Sequence, residues 1–253
     1  MKGAEDPWFK IFKRNPTPRA RIFCVPFAGG APNAFFKWRD AFDEDELVVF
    51  HLPGRFGDSR APISNSGEMT ARMLEAISPY LDLPFVIYGH SMGGLLGFEL
   101  ARALRAAGSR APEALIISGR RAPKVSRDNV DHTLSDDLFW AEIARIYNPP
   151  KALLEDLEVR DLFTPTFRAD FELLGTWSYV ETPPLELPIH VLAGADDDRA
   201  RPQDMEGWRE HTSCRFEQSI FPGGHMFIQS QQAQVLSKLQ AIIGGLEFAG
   251  QPR

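Results

Sequence analysis

The stretch Phe85-Val86-Ile87-Tyr88-Gly89-His90-Ser91-Met92-Gly93-Gly94 constrains this chain more than any other. Phe85 to Tyr88 reads as a short buried strand. Leu95 to Ala107 reads as a long apolar helix, with Gly108 as a plausible C-cap. Gly-His-Ser-Met-Gly between them fits a sharp strand-to-helix turn that lifts a serine above the sheet edge. Gly89 and Gly93 are needed where a Cβ would collide with the neighbouring strand or helix. The turn also sets Ser91 at a helix N-terminus, whose free N–H groups favour a developing negative charge. A structural turn that happened to hold a serine would explain the glycines, but not His90-Ser91 between them.

The rest of the chain supplies a compatible frame. Arg21-Ile22-Phe23-Cys24-Val25-Pro26, Leu47 to Phe50, Ala114 to Ser118 and Pro188 to Gly194 are continuous apolar runs. Such runs fit strands buried on both faces. Helices are expected at about 33–42, at about 67–81 with Ser66 as cap, and at the C-terminus around Val235, Leu239 and Ile242. A last strand is expected from about Arg215 to Phe221. The alternation predicts an α/β fold with a mostly parallel twisted sheet, in one domain spanning 1–253.

Between Arg121 and Pro184 the pattern changes to helices. One starts near Ser135 and must end before Pro149-Pro150. A short one lies near Ala152 to Leu157, and a third starts at Thr164 (N-cap) and Pro165. The block carries Phe139, Trp140, Tyr147, Phe163, Phe167, Phe171, Trp177 and Tyr179. We expect a helical lid at about 122–184, lying over the carboxyl edge of the strands and shaping an apolar pocket. Most of its aromatics would pack the lid onto the body, and two or three would touch substrate.

Composition excludes several classes. The net charge is −6, and the basic residues form no single run, which argues against nucleic acid. No stretch approaches the roughly 18 apolar residues that span a bilayer, and the N-terminus lacks a secretory pattern. Cys24 and Cys214, both read as lying in strands, are expected to be buried free thiols. A soluble cytoplasmic protein is expected.

A serine hydroxyl needs a base, and histidine is the usual one. His51, His90, His132, His190 and His211 lie in strand, helix or loop contexts that suit structural roles, and the His90 ring is expected to point away from the Ser91 hydroxyl. His225 alone follows the last strand, in Gly223-Gly224-His225, and comes after a candidate acid. The orienting acid should follow a late strand, in the order Ser, Asp, His. Asp196, Asp197 and Asp198 all satisfy that, and a position three residues past Gly194 favours Asp197. Oxyanion donors would be the N–H of Met92, after the serine, and of Ala28, in the Phe27-Ala28-Gly29-Gly30 loop. Arg55 is read as bracing its loop. No cluster suggests a metal site.

Taken together, these motifs are similar to those of the type II thioesterases, the external editing enzymes of polyketide synthases and nonribosomal peptide synthetases. The resemblance runs from about Arg21 to Gln229. It rests on Pro26 to Gly30, Pro53-Gly54-Arg55, Tyr88 to Gly93, Ser118-Gly119-Arg120-Arg121-Ala122-Pro123, Gly194 to Asp197, Trp208 and Phe221 to His225. The run of three aspartates and Met226, where the family usually has phenylalanine, depart from its pattern. The resemblance implies an α/β-hydrolase fold. It implies hydrolysis of acyl groups from the phosphopantetheine arm of acyl or peptidyl carrier proteins, by a monomer without a cofactor of its own. A carboxylesterase or acyl-CoA thioesterase of the same fold would share the scaffold. A non-catalytic ligand-binding module would normally lack a member of the Ser, His and Asp set.

Overall fold

The computed structural model describes residues 6–55, 57–125, 131–147, 149 and 151–246. In chain order the regular elements are β1 (Phe9–Lys10), β2 (Arg21–Val25), β3 (Glu46–Phe50), α1 (Ser66–Ile77), β4 (Phe85–His90), α2 (Met92–Ala106) and β5 (Ala114–Ser118). Then come α3 (Asp136–Tyr147), α4 (Lys151–Glu155), α5 (Leu157–Thr176), β6 (Ile189–Gly194), α6 (Pro202–Met205), β7 (Phe216–Phe221), α7 (Phe227–Ser230) and α8 (Gln232–Gly244).

The strands form one sheet in the order β1-β3-β2-β4-β5-β6-β7. Every pairing is parallel except that of β1 with β3. β3 through β6 are buried along their whole length, as continuous apolar runs require. On one face lie Met69, Met73 and Ile77 of α1 and Leu96, Leu100 and Leu104 of α2. On the other lie Phe35, Trp38, and Val235, Leu239 and Ile242 of α8. The chain winds outward in opposite directions from β2 and β4, so the order reverses between these neighbours. That reversal opens a crevice at their carboxyl ends, the usual place for a site in such a sheet.

Several boundaries differ from the sequence reading, each for a local reason. The helix expected at 33–42 is a short 3₁₀ turn, Pro32–Trp38. Phe35 and Trp38, three apart, share one buried face at three residues per turn. Asn65, not Ser66, caps α1, its side chain accepting the Glu68 N–H at 2.9 Å. That helix stops at Ile77 because Pro79 has no N–H to continue it, and a 3₁₀ turn follows. Thr164 does not cap a helix. α5 starts at Leu157, capped by Asp156, and runs through Pro165 as an interior residue. Thr164 instead donates to the Arg160 carbonyl at 2.7 Å and accepts from the Trp140 indole at 2.9 Å. Cys24 is buried in β2, but Cys214 is exposed and precedes β7. β1 lies in what reads as a polar lead-in. α3 ends at Tyr147, before Pro149; Pro150 lies outside the described residues, as do 126–130 within the expected lid. Among the described residues, no helix is long and apolar enough to cross a membrane.

Candidate active site

Ser91 joins β4 to α2 with φ 54° and ψ −114°. It is the sole non-glycine residue with positive φ among those described. Such a conformation is costly and persists only where its surroundings fix it. They do so here by backbone contact. A Cβ on Gly89 would lie 2.0 Å from the Gly93 carbonyl oxygen, and one on Gly93 would lie 2.0 Å from that of Val25. Glycine is therefore required at both positions. The second contact presses the start of α2 against the end of β2, bringing the loop after β2 beside Ser91. Met92 opens α2, so its N–H is a first-turn amide without an intrahelical acceptor.

The structure brings His225 and Asp197 to this turn. His225 Nε2 lies 2.9 Å from Ser91 Oγ, and His225 Nδ1 lies 2.9 Å from Asp197 Oδ2. Gly194 closes β6, and Asp197 turns inward three residues later, while Asp196 and Asp198 are exposed. Asp198 instead pairs with Arg145 of α3 at 3.2 Å. Asp197 Oδ1 accepts the N–H groups of Arg199 at 2.9 Å and Ala200 at 3.1 Å. Burial alone would raise the Asp197 carboxyl. The bonds from His225, Arg199 and Ala200 outweigh it and hold the group below the usual carboxylate range. Asp197 is thus an anion, held where it fixes the imidazole.

The other histidines lie elsewhere. His90 Nδ1 bonds Ser118 Oγ at 2.9 Å, so its ring faces away from the serine hydroxyl. Burial, then the neighbouring His225 imidazole, pull His90 down to about 3. It stays neutral beneath His225, at a ring separation of 5.3 Å. Gly119 is required beside it, since a Cβ there would lie 2.7 Å from the His90 ring. The following Arg120 carbonyl accepts the Trp208 indole at 2.7 Å, which ties together two separate motifs of the sequence.

The helical segment does lie over the serine. Tyr147 of α3 stacks on Phe27, and its ring stands 6.2 Å from that of His225. Tyr147, Phe171, Leu174 and Trp177 wall a cavity that also reaches Ser91, Arg120, Arg199 and His225. Its volume is about 30 Å³, room for roughly one or two waters. Phe139, Trp140 and Phe167 pack the segment instead, with rings in edge contacts such as Phe139 on Phe171 and Trp140 on Phe167.

One residue at the site escaped the sequence reading. Asp170 of α5 is fully buried. It pairs with Arg55 at 2.7 Å and accepts the Gly29 N–H at 2.7 Å. Burial raises its carboxyl, opposed by Arg55 and the Gly29 N–H. Arg55 braces its loop as expected, donating to the carbonyls of Pro53 at 2.8 Å and Gly30 at 3.2 Å. The signal for Asp170 was present: it sits at helical spacing among Phe167, Phe171 and Leu174, where only a paired charge is tolerated. Among the described residues, no group of three or more His, Cys, Asp or Glu is arranged to hold a metal.

A mostly parallel sheet with a strained serine after β4, an acid after β6 and a histidine after β7 defines a serine hydrolase of the α/β-hydrolase class. A thioesterase-domain profile matches residues 20–243. The chain is 34% identical over 232 residues to the gramicidin S biosynthesis protein GrsT of Aneurinibacillus migulanus, covering 90% of this chain and 91% of that one. Among solved structures it resembles RedJ, a thioesterase from the prodiginine pathway of Streptomyces coelicolor. The TM-score is 0.83 at 31% identity, over 88% of this chain and 85% of that one. It also resembles BorB, the type II thioesterase of the borrelidin cluster, with TM-score 0.86 at 29% identity, over 95% and 99%. The chain belongs to the thioesterase family, and it is a thioester hydrolase.

Proposed function

We propose that this thioesterase clears acyl groups from the phosphopantetheine arms of acyl or peptidyl carrier proteins, as an editing enzyme of a polyketide or nonribosomal peptide synthase. The observation that carries the chemistry is the unbroken chain Ser91 Oγ–His225–Asp197, at 2.9 Å per link, opening on the cavity under α3 and α5. The carrier-bound substrate is supported by relatives of nearly the same length from such pathways.

In this reading Ser91 Oγ adds to the thioester carbonyl carbon while His225 takes its proton. The carbonyl electrons move to an oxyanion held by the N–H groups of Met92 and Ala28. A donor of this kind contributes about 3–4 kcal/mol. The tetrahedral adduct collapses, the C–S bond breaks, and His225 returns the proton to the departing thiolate. Water, deprotonated by His225, then attacks the acyl-Ser91 ester, and the acid leaves as Ser91 is reprotonated. Asp197 keeps the imidazole in one tautomer and stabilises its charged form. No step requires a cofactor beyond the substrate's own arm.

The test is an acyl-carrier thioester assay with intact-mass spectrometry. An acyl adduct should form on Ser91, and Ser91→Ala should lose both adduct and turnover. Substantial hydrolysis by Ser91→Ala would overturn the assignment. Acyl-carrier, acyl-CoA and nitrophenyl-ester substrates should be compared at equal concentration. A preference for the nitrophenyl ester would favour a carboxylesterase, and one for acyl-CoA would remove the carrier.

A further inference from the structure

We propose that Asp170 is a positioning residue for the oxyanion site: through the Gly29 N–H it ties the lid helix to the loop that presents the Ala28 N–H, so the donor is in place only while α5 is docked. The inference rests on the assignment of Ala28 as an oxyanion donor and goes beyond it, because Asp170 touches neither substrate nor the reacting atoms.

Three observations carry it. First, one carboxylate oxygen serves both partners. Asp170 Oδ2 accepts the Gly29 N–H at 2.7 Å and an Arg55 N–H at 2.7 Å, while Oδ1 takes a second bond from the same Arg55 nitrogen at 3.0 Å. Arg55 Nε also donates to the Gly30 carbonyl at 3.2 Å, so the loop is gripped at consecutive residues, through an N–H and through a C=O. Second, the same face of α5 closes sterically on that loop. Gly29 has φ +70°, and a Cβ on it would lie 2.2 Å from the Phe167 ring. Thr166 donates to the Gly54 carbonyl, fastening the neighbouring turn. Third, the pair is wholly enclosed, with Arg55 2% and Asp170 0% exposed. A carboxylate removed from water this completely is retained only with its partners in place. Lifting α5 would strip Asp170 from Gly29 and leave both the amide and Arg55 without their acceptor.

The consequence for the reaction is geometric. An oxyanion donor acts only at about 2.7–3.1 Å from the developing charge, and a misplacement near 1 Å can cost on the order of a hundredfold in rate. Docking of α5 would therefore close the cavity and set the donor in one event. Hydrolysis by water in the undocked state would be slow.

The acceptor and the charge are separable by mutation, which makes the proposal testable. Asp170→Asn keeps an oxygen for the Gly29 N–H but loses the charge opposite Arg55. Asp170→Ala loses both. The paired change Arg55→Met with Asp170→Leu removes the buried ions without stranding either one, which commonly restores stability. Each variant of the full chain would be assayed with an acetyl thioester of N-acetylcysteamine, and with a trifluoromethyl ketone whose adduct on Ser91 places an oxyanion in the same site. Thermal unfolding would be followed in parallel. Asp170→Ala should lower kcat by about ten- to a hundredfold with KM within about threefold, and weaken the ketone by the same factor as kcat. Asp170→Asn should unfold at lower temperature yet keep kcat within about threefold. The paired variant should regain its melting temperature and remain slow. Parent-like kcat in folded Asp170→Ala, or recovery of kcat together with stability in the paired variant, would overturn the proposal, as would equal losses in folded Asp170→Asn and Asp170→Ala. Ser91→Ala serves as the separate control. Turnover surviving there refutes the site itself, whereas its loss beside an unaffected Asp170→Ala refutes only this inference.

Discussion

Ser91 holds its strained conformation because three backbone segments meet around it, at Gly89, Gly93 and Val25. Its partners in space were readable because each follows a strand end in a fixed order. Asp197 was singled out among three aspartates by its offset from Gly194, and burial separates it from its neighbours. This gives a sharp pair of expectations. Asp197→Asn should lower kcat by on the order of 10³–10⁴. Asp198→Asn, which removes only the exposed pair with Arg145, should leave kcat near the parent and change stability by less than about 1 kcal/mol. Steady-state kinetics and thermal melts on the two variants check both. His90 offers a pH test. Its folded-state value of about 3 lies below its ordinary value of 6.5, so between these the unfolded chain binds the extra proton. Stability should therefore fall as pH drops from about 6.5 towards 3, with no further loss from this group below that. His90→Gln should flatten this limb in denaturant titrations; an unchanged slope would place the titrating group elsewhere. Helical spacing marks Asp170 as a buried, paired charge but not as functional, because its partners Gly29 and Arg55 are far away in sequence.

At the scale of elements, local chemistry and tertiary packing disagree most in α5. Thr164-Pro165 is a good helix start by composition. Yet the helix continues through it, since Thr166, Phe167, Asp170 and Phe171 all find partners on one buried face. Packing overrides the missing Pro165 N–H. The same face sets a second expectation. Gly29→Ala would force a Cβ against the Phe167 ring at a positive φ, and should destabilise the fold while lowering kcat. A variant with the parent's melting temperature and rate would show that α5 adjusts freely. The central strands were readable because burial on both faces demands unbroken apolar runs. β1, two residues long, follows no such pattern, since its place depends on the edge of β3.

For the molecule as a whole, the reversal of strand order between β2 and β4 places the site, and Tyr147, Phe171 and Trp177 of the helical segment wall the cavity above it. The cavity of about 30 Å³ is walled by Tyr147, Phe171 and Trp177, so longer acyl groups are expected to press on these side chains. Phe171→Ala should cost about 3–5 kcal/mol of stability. It should also raise kcat/KM for hexanoyl over acetyl thioesters, measured as a ratio on one enzyme preparation. The helices of this interval followed from its strandless, aromatic-rich pattern. The tightness of its closure did not, because cavity volume depends on how side chains from α3 and α5 interlock. Ser91, Asp197 and His225 all lie outside the interval 122–184, and the chain re-enters the body by a bridge from Leu185 to Thr212. The interval therefore leaves the segments that carry these three residues uninterrupted. A transplanted segment could bring a new acyl preference to an untouched triad, provided it carries an acid to meet Arg55 and Gly29. Recombinants lacking that acid should assemble the triad and still turn over poorly, so selection on shuffled sequences should keep Asp170 and Arg55 together.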